Sequence, residues 1–338
     1  MLTHFKPYAI PEQIVIHRKG DVKLGERFRF SRMPSLESLK SHRKRGVKFA
    51  LIGIPESVGI LANHGEAGAE CSWEQFVLHF ANLQSNRFLE GSSILCLGQV
   101  ETKDLQKRAM ELNPADNQYY TRLRLVCQEL DQRVTPVIEL LGKAGLVPIV
   151  IGGGHNNVFP ILKGMFMGLN QSQGISCINL DAHADFRPLE GRHSGNGFSY
   201  AFYQGYLQRY YVMGLNENAN SEAMLKNMDL EPCVGYAFYR PGQDPDVSKA
   251  LKFIQEADGP YGVEVDLDAL SQMPASAYSV SGFTLDQTRV LIKRVTEELK
   301  PVYLHLAEGQ IKDQSREAQI IGKTLSILVS DFIMSYPC

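Results

Sequence analysis

From Val47 to the end of the chain, short apolar runs alternate with longer amphipathic segments, and no other feature narrows the possible folds as far. The runs lie at 47–53 (VKFALIG), 93–97 (SILCL), 147–151 (VPIVI), 175–180 (ISCINL), 209–214 (RYYVMG), 262–267 (GVEVDL) and 302–306 (VYLHL). Each is strand-length, and most of the segments between them are long enough for a crossover helix. The pattern predicts an α/β protein with a parallel sheet of seven or eight strands and helices on both faces. Gly145 is expected to stop a helix over 119–144 that Pro136 kinks or splits. Thr284 and Gln287 form a capping-box pattern for a helix that reaches about Lys300, where Pro301 ends it. A last helix is expected from about Ser315 to Ser335.

Composition removes several classes of function. The 338 residues are 44% apolar and 21% charged, an ordinary globular balance. Lys and Arg total 35 against 37 Asp and Glu, so at a net charge of −2 no global field draws nucleic acid or anionic membrane, and a small-molecule partner is expected. No run approaches the roughly 18 apolar residues of a membrane span. The opening MLTHFKPYAIPEQ lacks the layout of a signal peptide, so a cytoplasmic location is expected. The six cysteines are scattered without a CxxC pair, which suggests reduced thiols rather than a disulfide framework or a thiolate metal site. With no internal repeat and no linker, residues 46–338 read as one domain. Residues 1–45 read as a polar, basic arm whose run Lys40, Ser41, His42, Arg43, Lys44, Arg45 is a solvated face.

Ligands of open α/β sheets bind outside the carboxyl ends of the strands, and four of the runs end in hard-metal or acid/base residues. VPIVI is followed by three glycines and His155. ISCINL is followed by Asp181, Ala182, His183, Ala184 and Asp185. VEVDLDAL contains Asp266 and Asp268, and Glu308 follows VYLHL. Residues two apart on an extended chain point the same way, so Asp181, His183 and Asp185 can face one point, as can Asp266 and Asp268. The glycines permit a tight turn that brings the His155 imidazole over the same edge. Four aspartates and two imidazoles form a hard O/N set suited to Mn²⁺ or a similar ion. Two divalent ions balance the mutual repulsion of the aspartates, and a water held between such ions becomes hydroxide near neutral pH.

These motifs, read as IGGGH, NLDAHADFR, HSGNGF, VEVDLDAL and LAEG, resemble the ureohydrolase family of arginases, agmatinases and formimidoylglutamases. ALIGIPES at 50–57 and NHGEAGAE at 63–70 extend the resemblance to about 47–335. Within the family, GGGH in place of GGDH, Phe186–Arg187 after DAHAD, and VDLDAL are similar to formimidoylglutamase. The histidine that follows Ser-Gly-Asn in arginases is absent, since Gly197 and Phe198 follow Asn196. Asn156, SGNGF and MPASA depart from the formimidoylglutamase pattern.

The resemblance implies a three-layer α/β/α sandwich with a parallel sheet of about eight strands, homo-oligomers (trimers or hexamers), and two Mn²⁺ per subunit. The ions would be held by His155, Asp181, His183, Asp185, Asp266 and Asp268. The implied reaction is hydrolysis of an amidine C–N bond, N-formimidoyl-L-glutamate giving L-glutamate and formamide. Asp185 is the expected proton shuttle and Glu308 is expected to face the cationic amidinium. Arg187 suits a substrate carboxylate or a structural ion pair, and Ser194 and Asn196 suit the substrate's polar end or a turn. His193 is a candidate auxiliary acid and His64 a weaker one. His305 and the aromatic residues at 198–211 read as core. Alternatives are a guanidino hydrolase releasing urea, a single-zinc deacetylase of related fold, and a drifted metal-binding scaffold.

Overall fold

Ten strands form one hydrogen-bonded sheet in the computed structural model, which describes residues 2–8, 12–312 and 316–337. The strands are β1 (Phe5–Pro7), β2 (Arg29–Phe30), β3 (Phe49–Gly53), β4 (Ile94–Val100), β5 (Val147–Ile151), β6 (Ile175–Leu180), β7 (Leu207–Leu215), β8 (Val234–Phe238), β9 (Tyr261–Asp266) and β10 (Tyr303–Ala307). Their order is β1-β4-β3-β5-β10-β9-β6-β7-β8, with β2 also paired to β4.

Successive side chains of a strand leave opposite faces, and here both faces are buried. Phe49 and Leu51 enter one apolar cluster, Ala50 and Ile52 the other. The first cluster is closed by Trp73 and Phe76 of helix Ser72–Phe80, Leu291 of Leu285–Leu299 and Leu325 of Arg316–Ser335. The second is closed by Leu130 and Val134 of helix Tyr119–Ala144, Ile161 of Val158–Gly168 and Phe198 of Gly197–Tyr203. Three layers result, as the alternation predicts.

The expected parallel sheet of about eight strands corresponds to β3 to β10, and it needs a correction at one edge. β1 runs antiparallel to β4 and β2 adds two residues beside it, so the sheet is mixed and ten-stranded. Both extra strands come from residues 1–45, whose basic run lies on helix Leu36–Lys44 with Leu39 buried beneath it. β8 also lacked a sequence signal, because an edge strand with four half-buried residues carries little apolar contrast. Pro136 does not split its helix, which runs as one 26-residue element. Helix Val158–Gly168 packs closely on the turn that contains the proline, where a Cβ on Gly164 would lie 2.7 Å from Ile138 Cβ and 2.8 Å from the Thr135 carbonyl. The expected helix start, Ser315, and Cys338 lie outside the described residues. Helix Arg316–Ser335 is long and apolar enough to cross a membrane, but 67% of its apolar window is buried in this fold.

The expected capping box forms, with Thr284 Oγ1 accepting from the Gln287 amide at 3.2 Å and Gln287 Oε1 accepting from the Thr284 amide at 2.9 Å. Thr284→Ala should therefore lower stability by about 1 kcal/mol, read as a shift in the urea midpoint; an unchanged midpoint would show that the cap contributes nothing.

Candidate metal centre

Four adjacent strands, β5, β10, β9 and β6, carry the expected ligands, and their carboxyl ends are flush. Leu306 pairs with Ile151, Ala307 with Asp266, and Leu180 with Val265. His155, Glu308, Asp266 and Asp181 are therefore delivered to one edge by register alone. The β5 turn needs its glycines: Gly152 and Gly153 have φ of +85° and +74°, and a Cβ on Gly153 would meet Asn157 Nδ2 at 2.4 Å and Glu56 Oε1 at 2.7 Å.

The donor atoms fall into two groups. His155 Nδ1 lies 3.1 Å from Asp181 Oδ2, 3.1 Å from Asp185 Oδ2 and 3.3 Å from Asp266 Oδ2. His183 Nδ1 lies 2.9 Å from Asp268 Oδ2 and 3.7 Å from Asp181 Oδ1. All six expected ligands are thus brought together, and Asp181 offers one oxygen to each group. His155 Nδ1 and Asp268 Oδ1 are buried without a hydrogen-bond partner, an arrangement that suits cations between the carboxylates.

Electrostatics points the same way. Burial, then the Asp181 charge, pushes the Asp185 carboxyl up to about 6, and burial with the charge of Asp268 raises Asp266 well above the usual carboxylate range. Burial likewise pushes Glu308 up to about 8. Asp181 moves the other way, to about 2, because the neighbouring imidazoles of His155 and His183 outweigh the effect of its burial. The Asp268 charge raises His183, and neighbouring carboxylates raise His155 against the effect of its burial. A hard O/N cluster with this much unrelieved like charge fits two divalent cations.

Two buried glutamates that the sequence reading did not single out hold the cluster. Glu264 of β9 places Oε2 3.2 Å from His155 Nε2 and 2.6 Å from His305 Nδ1. If Nε2 donates to Glu264, the Nδ1 lone pair is left for a metal ion. His305 is a satisfied core residue, as expected, and also braces Glu264. Glu56, after β3, is fully buried and accepts from the Gly154 amide at 2.8 Å, Asn157 Nδ2 at 2.6 Å and Asn156 Nδ2 at 3.3 Å. It anchors the turn that carries His155. Asp185 and Glu308 have φ of +49° and +65°, a left-handed backbone that is unusual for either residue type.

A cavity of about 360 Å³ opens over the cluster, lined by His183, Asp185, Arg187, Ser194, Asp266, Asp268, Glu308, Asn63 and His64. Glu308 Oε1 accepts from the His155 amide at 2.6 Å, while Oε2 has no partner. Arg187 is exposed, and among the described residues no carboxylate pairs with it, so the structural ion pair is absent. Ser194 Oγ accepts from Asn63 Nδ2 at 3.2 Å. Asn196 requires a correction. It does not line the cavity: its amide is buried, accepting from Arg192 Nη1 at 2.8 Å and donating to the Gly191 carbonyl at 2.7 Å, so it shapes the loop instead of meeting substrate. His193 is also turned away, with Nε2 3.1 Å from Glu190 Oε1, and burial lowers it to about 4. His64 lines the cavity with its ring tilted 36° against Tyr120, the centroids 3.7 Å apart.

Glu264→Gln should weaken divalent-metal binding about 10- to 100-fold without unfolding the chain, measured by equilibrium dialysis against Mn²⁺. Unchanged affinity would mean that Glu264 does not orient His155. Conversely, Mn²⁺ at about 1,000 times its dissociation constant should stabilise the fold by about 4 kcal/mol, seen as a higher melting temperature that a chelator reverses.

The arginase family model matches residues 47–323. Formimidoylglutamase of Streptococcus gordonii is 25% identical over 244 residues, 69% of this chain and 68% of that protein. The Streptococcus pyogenes serotype M3 enzyme of the same name is 25% identical over 236 residues, 67% of this chain and 65% of that one. Trypanosoma cruzi formiminoglutamase, solved with Mn²⁺, superposes with a TM-score of 0.70 at 16% identity, covering 94% of this chain and 100% of that one. Bacillus subtilis formimidoylglutamase gives 0.72 at 14% identity, covering 96% of each chain. The flush strand ends, the paired donor groups and the match across most of the sequence agree, and this chain belongs to the arginase family.

Proposed function

We propose that this chain is a binuclear-manganese hydrolase that cleaves the amidine C–N bond of N-formimidoyl-L-glutamate, giving L-glutamate and formamide. The observation that carries the reading is the pair of donor groups joined by Asp181 beneath a cavity that holds an unpaired carboxylate oxygen, on Glu308, and an unpaired guanidinium, on Arg187. The relatives named formimidoylglutamase support the same substrate.

His155, Asp181, Asp185 and Asp266 would hold one ion, and Asp181, His183 and Asp268 the other. When bound, such ions activate a water molecule as a nucleophile near neutral pH. The chain supplies the rest. Asp185 faces both the donor cluster and the cavity, so its carboxylate can take a proton from water and return it to the departing nitrogen. Glu308 Oε2 accepts an N–H of the cationic amidinium and orients the carbon for attack, and that cation in turn keeps the carboxylate ionised. Arg187 binds the distal carboxylate bidentately, and Ser194 hydrogen-bonds beside it. Agmatine has no carboxylate for Arg187 to bind, which disfavours it as substrate.

A Mn²⁺-reconstituted assay should release formamide from formimidoylglutamate and no urea from arginine, agmatine or guanidinobutyrate. Turnover of a guanidino compound alone would overturn the substrate. His183→Ala and Asp266→Ala should each lose both metal retention and turnover. Arg187→Ala should raise KM by about ten- to a hundredfold with a smaller change in kcat, as expected when one charged binding contact is removed.

A further inference from the structure

A second cavity, of about 480 Å³, lies between helices Tyr119–Ala144 and Val158–Gly168, the Gly191–Arg192 loop and the later part of Gly197–Tyr203. Its floor is a buried ion pair, with Arg192 Nε 2.9 Å from Asp131 Oδ2 and the two side chains only 4% and 7% exposed. The guanidinium lies over the rings of Phe159 and Tyr200, 4.7 and 4.9 Å from their centroids. Every nitrogen of Arg192 is engaged: Nη2 also donates to the Asn156 carbonyl at 2.6 Å, and Nη1 to Asn196 Oδ1 at 2.8 Å. One guanidinium therefore ties this cavity to the residue after His155 and to the Ser-Gly-Asn loop that borders the first cavity.

The charges do not all cancel. Asp131 neutralises Arg192, and Glu139 on the rim is paired with Lys143 at 2.6 Å. Lys163 remains. Its ammonium lies 5.9 Å from the Phe159 ring and 5.7 Å from the Tyr206 ring, and among the described residues no carboxylate pairs with it. An unpaired ammonium at an aromatic wall, with the Met167 side chain one turn further along the same helix and amides from Gln132 and Gln204 in the lining, has the chemistry to hold a carboxylate attached to a flat apolar body.

We propose that this cavity is a second binding site, for a small flat monocarboxylate, and that Arg192 transmits its occupancy to the metal centre. A carboxylate on Lys163 repels Asp131 and attracts the Arg192 guanidinium, drawing it from the Asn156 carbonyl and loosening the turn that presents His155. Binding at the two places is then mutually unfavourable, and the coupling must be reciprocal.

Phenylacetate serves as the probe, titrated by calorimetry into the full chain with and without saturating Mn²⁺. It should bind the metal-free protein about fivefold or more tightly than the loaded one, and saturating phenylacetate should raise the Mn²⁺ dissociation constant by the same factor. Lys163→Gln should weaken phenylacetate about tenfold, as loss of one charge-assisted contact does, while Arg187→Ala in the first cavity leaves it within about twofold. Arg192→Lys should keep phenylacetate binding but abolish the coupling to Mn²⁺. The proposal is overturned by phenylacetate that does not bind, that responds to Arg187→Ala and not Lys163→Gln, or that binds with no effect on Mn²⁺. Self-association that covers the cavity and blocks the probe overturns it as well.

Discussion

Everything at the edge of this sheet answers to one electrostatic constraint, the crowding of Asp181, Asp185, Asp266 and Asp268 around two imidazoles in a nearly dry volume. Parallel pairing imposes the crowding. Because β5, β10, β9 and β6 end level, the residues that leave them have no room to spread. Burial first, and then the charge of the neighbouring aspartates, raises the cost of ionising Asp185 and Asp266 above that of an ordinary carboxyl. The buried glutamates on either side brace the cluster: Glu56 takes donors from the turn and Glu264 takes donors from the rings.

Sharing Asp181 makes the two donor groups a single unit. Its Oδ1 also accepts from the His183 amide at 2.7 Å and its Oδ2 from Asn179 Nδ2 at 3.0 Å, so the carboxylate cannot swing toward one group without giving up a contact to the other.

How much of this was legible in the sequence depended on whether partners are close along the chain. DAHAD declares its geometry in five residues because strand periodicity turns two-apart ligands the same way, and the capping box at Thr284 is equally local. Glu264 was hidden inside an apolar strand, where a charged residue has meaning only once His155, 109 positions earlier, is seen beside it. Glu56 and Gly154 are 98 residues apart, and Asp131 and Arg192 are 61 apart. Asn196 misled for the opposite reason: its motif fixed the loop, but a side chain in a turn can face inward or outward, and the buried Arg192 drew it inward. The sheet's edges were illegible because β1 and β2 are too short to show a period and β8 is too exposed to show contrast.

The left-handed backbone at Asp185 and Glu308 bears on how such a protein can change over generations. Glycine or asparagine at those two positions would relax the main chain and remove a crowded negative charge, so both kinds of substitution favour the metal-free fold. These two charged groups of the site are thus held against a stability gradient, and decay into an inert scaffold of the same shape is the downhill direction. A descendant that lost activity would be expected to melt higher without metal than its active parent, leaving the sheet, the cavity and most of the donor set as a record of the chemistry it once supported.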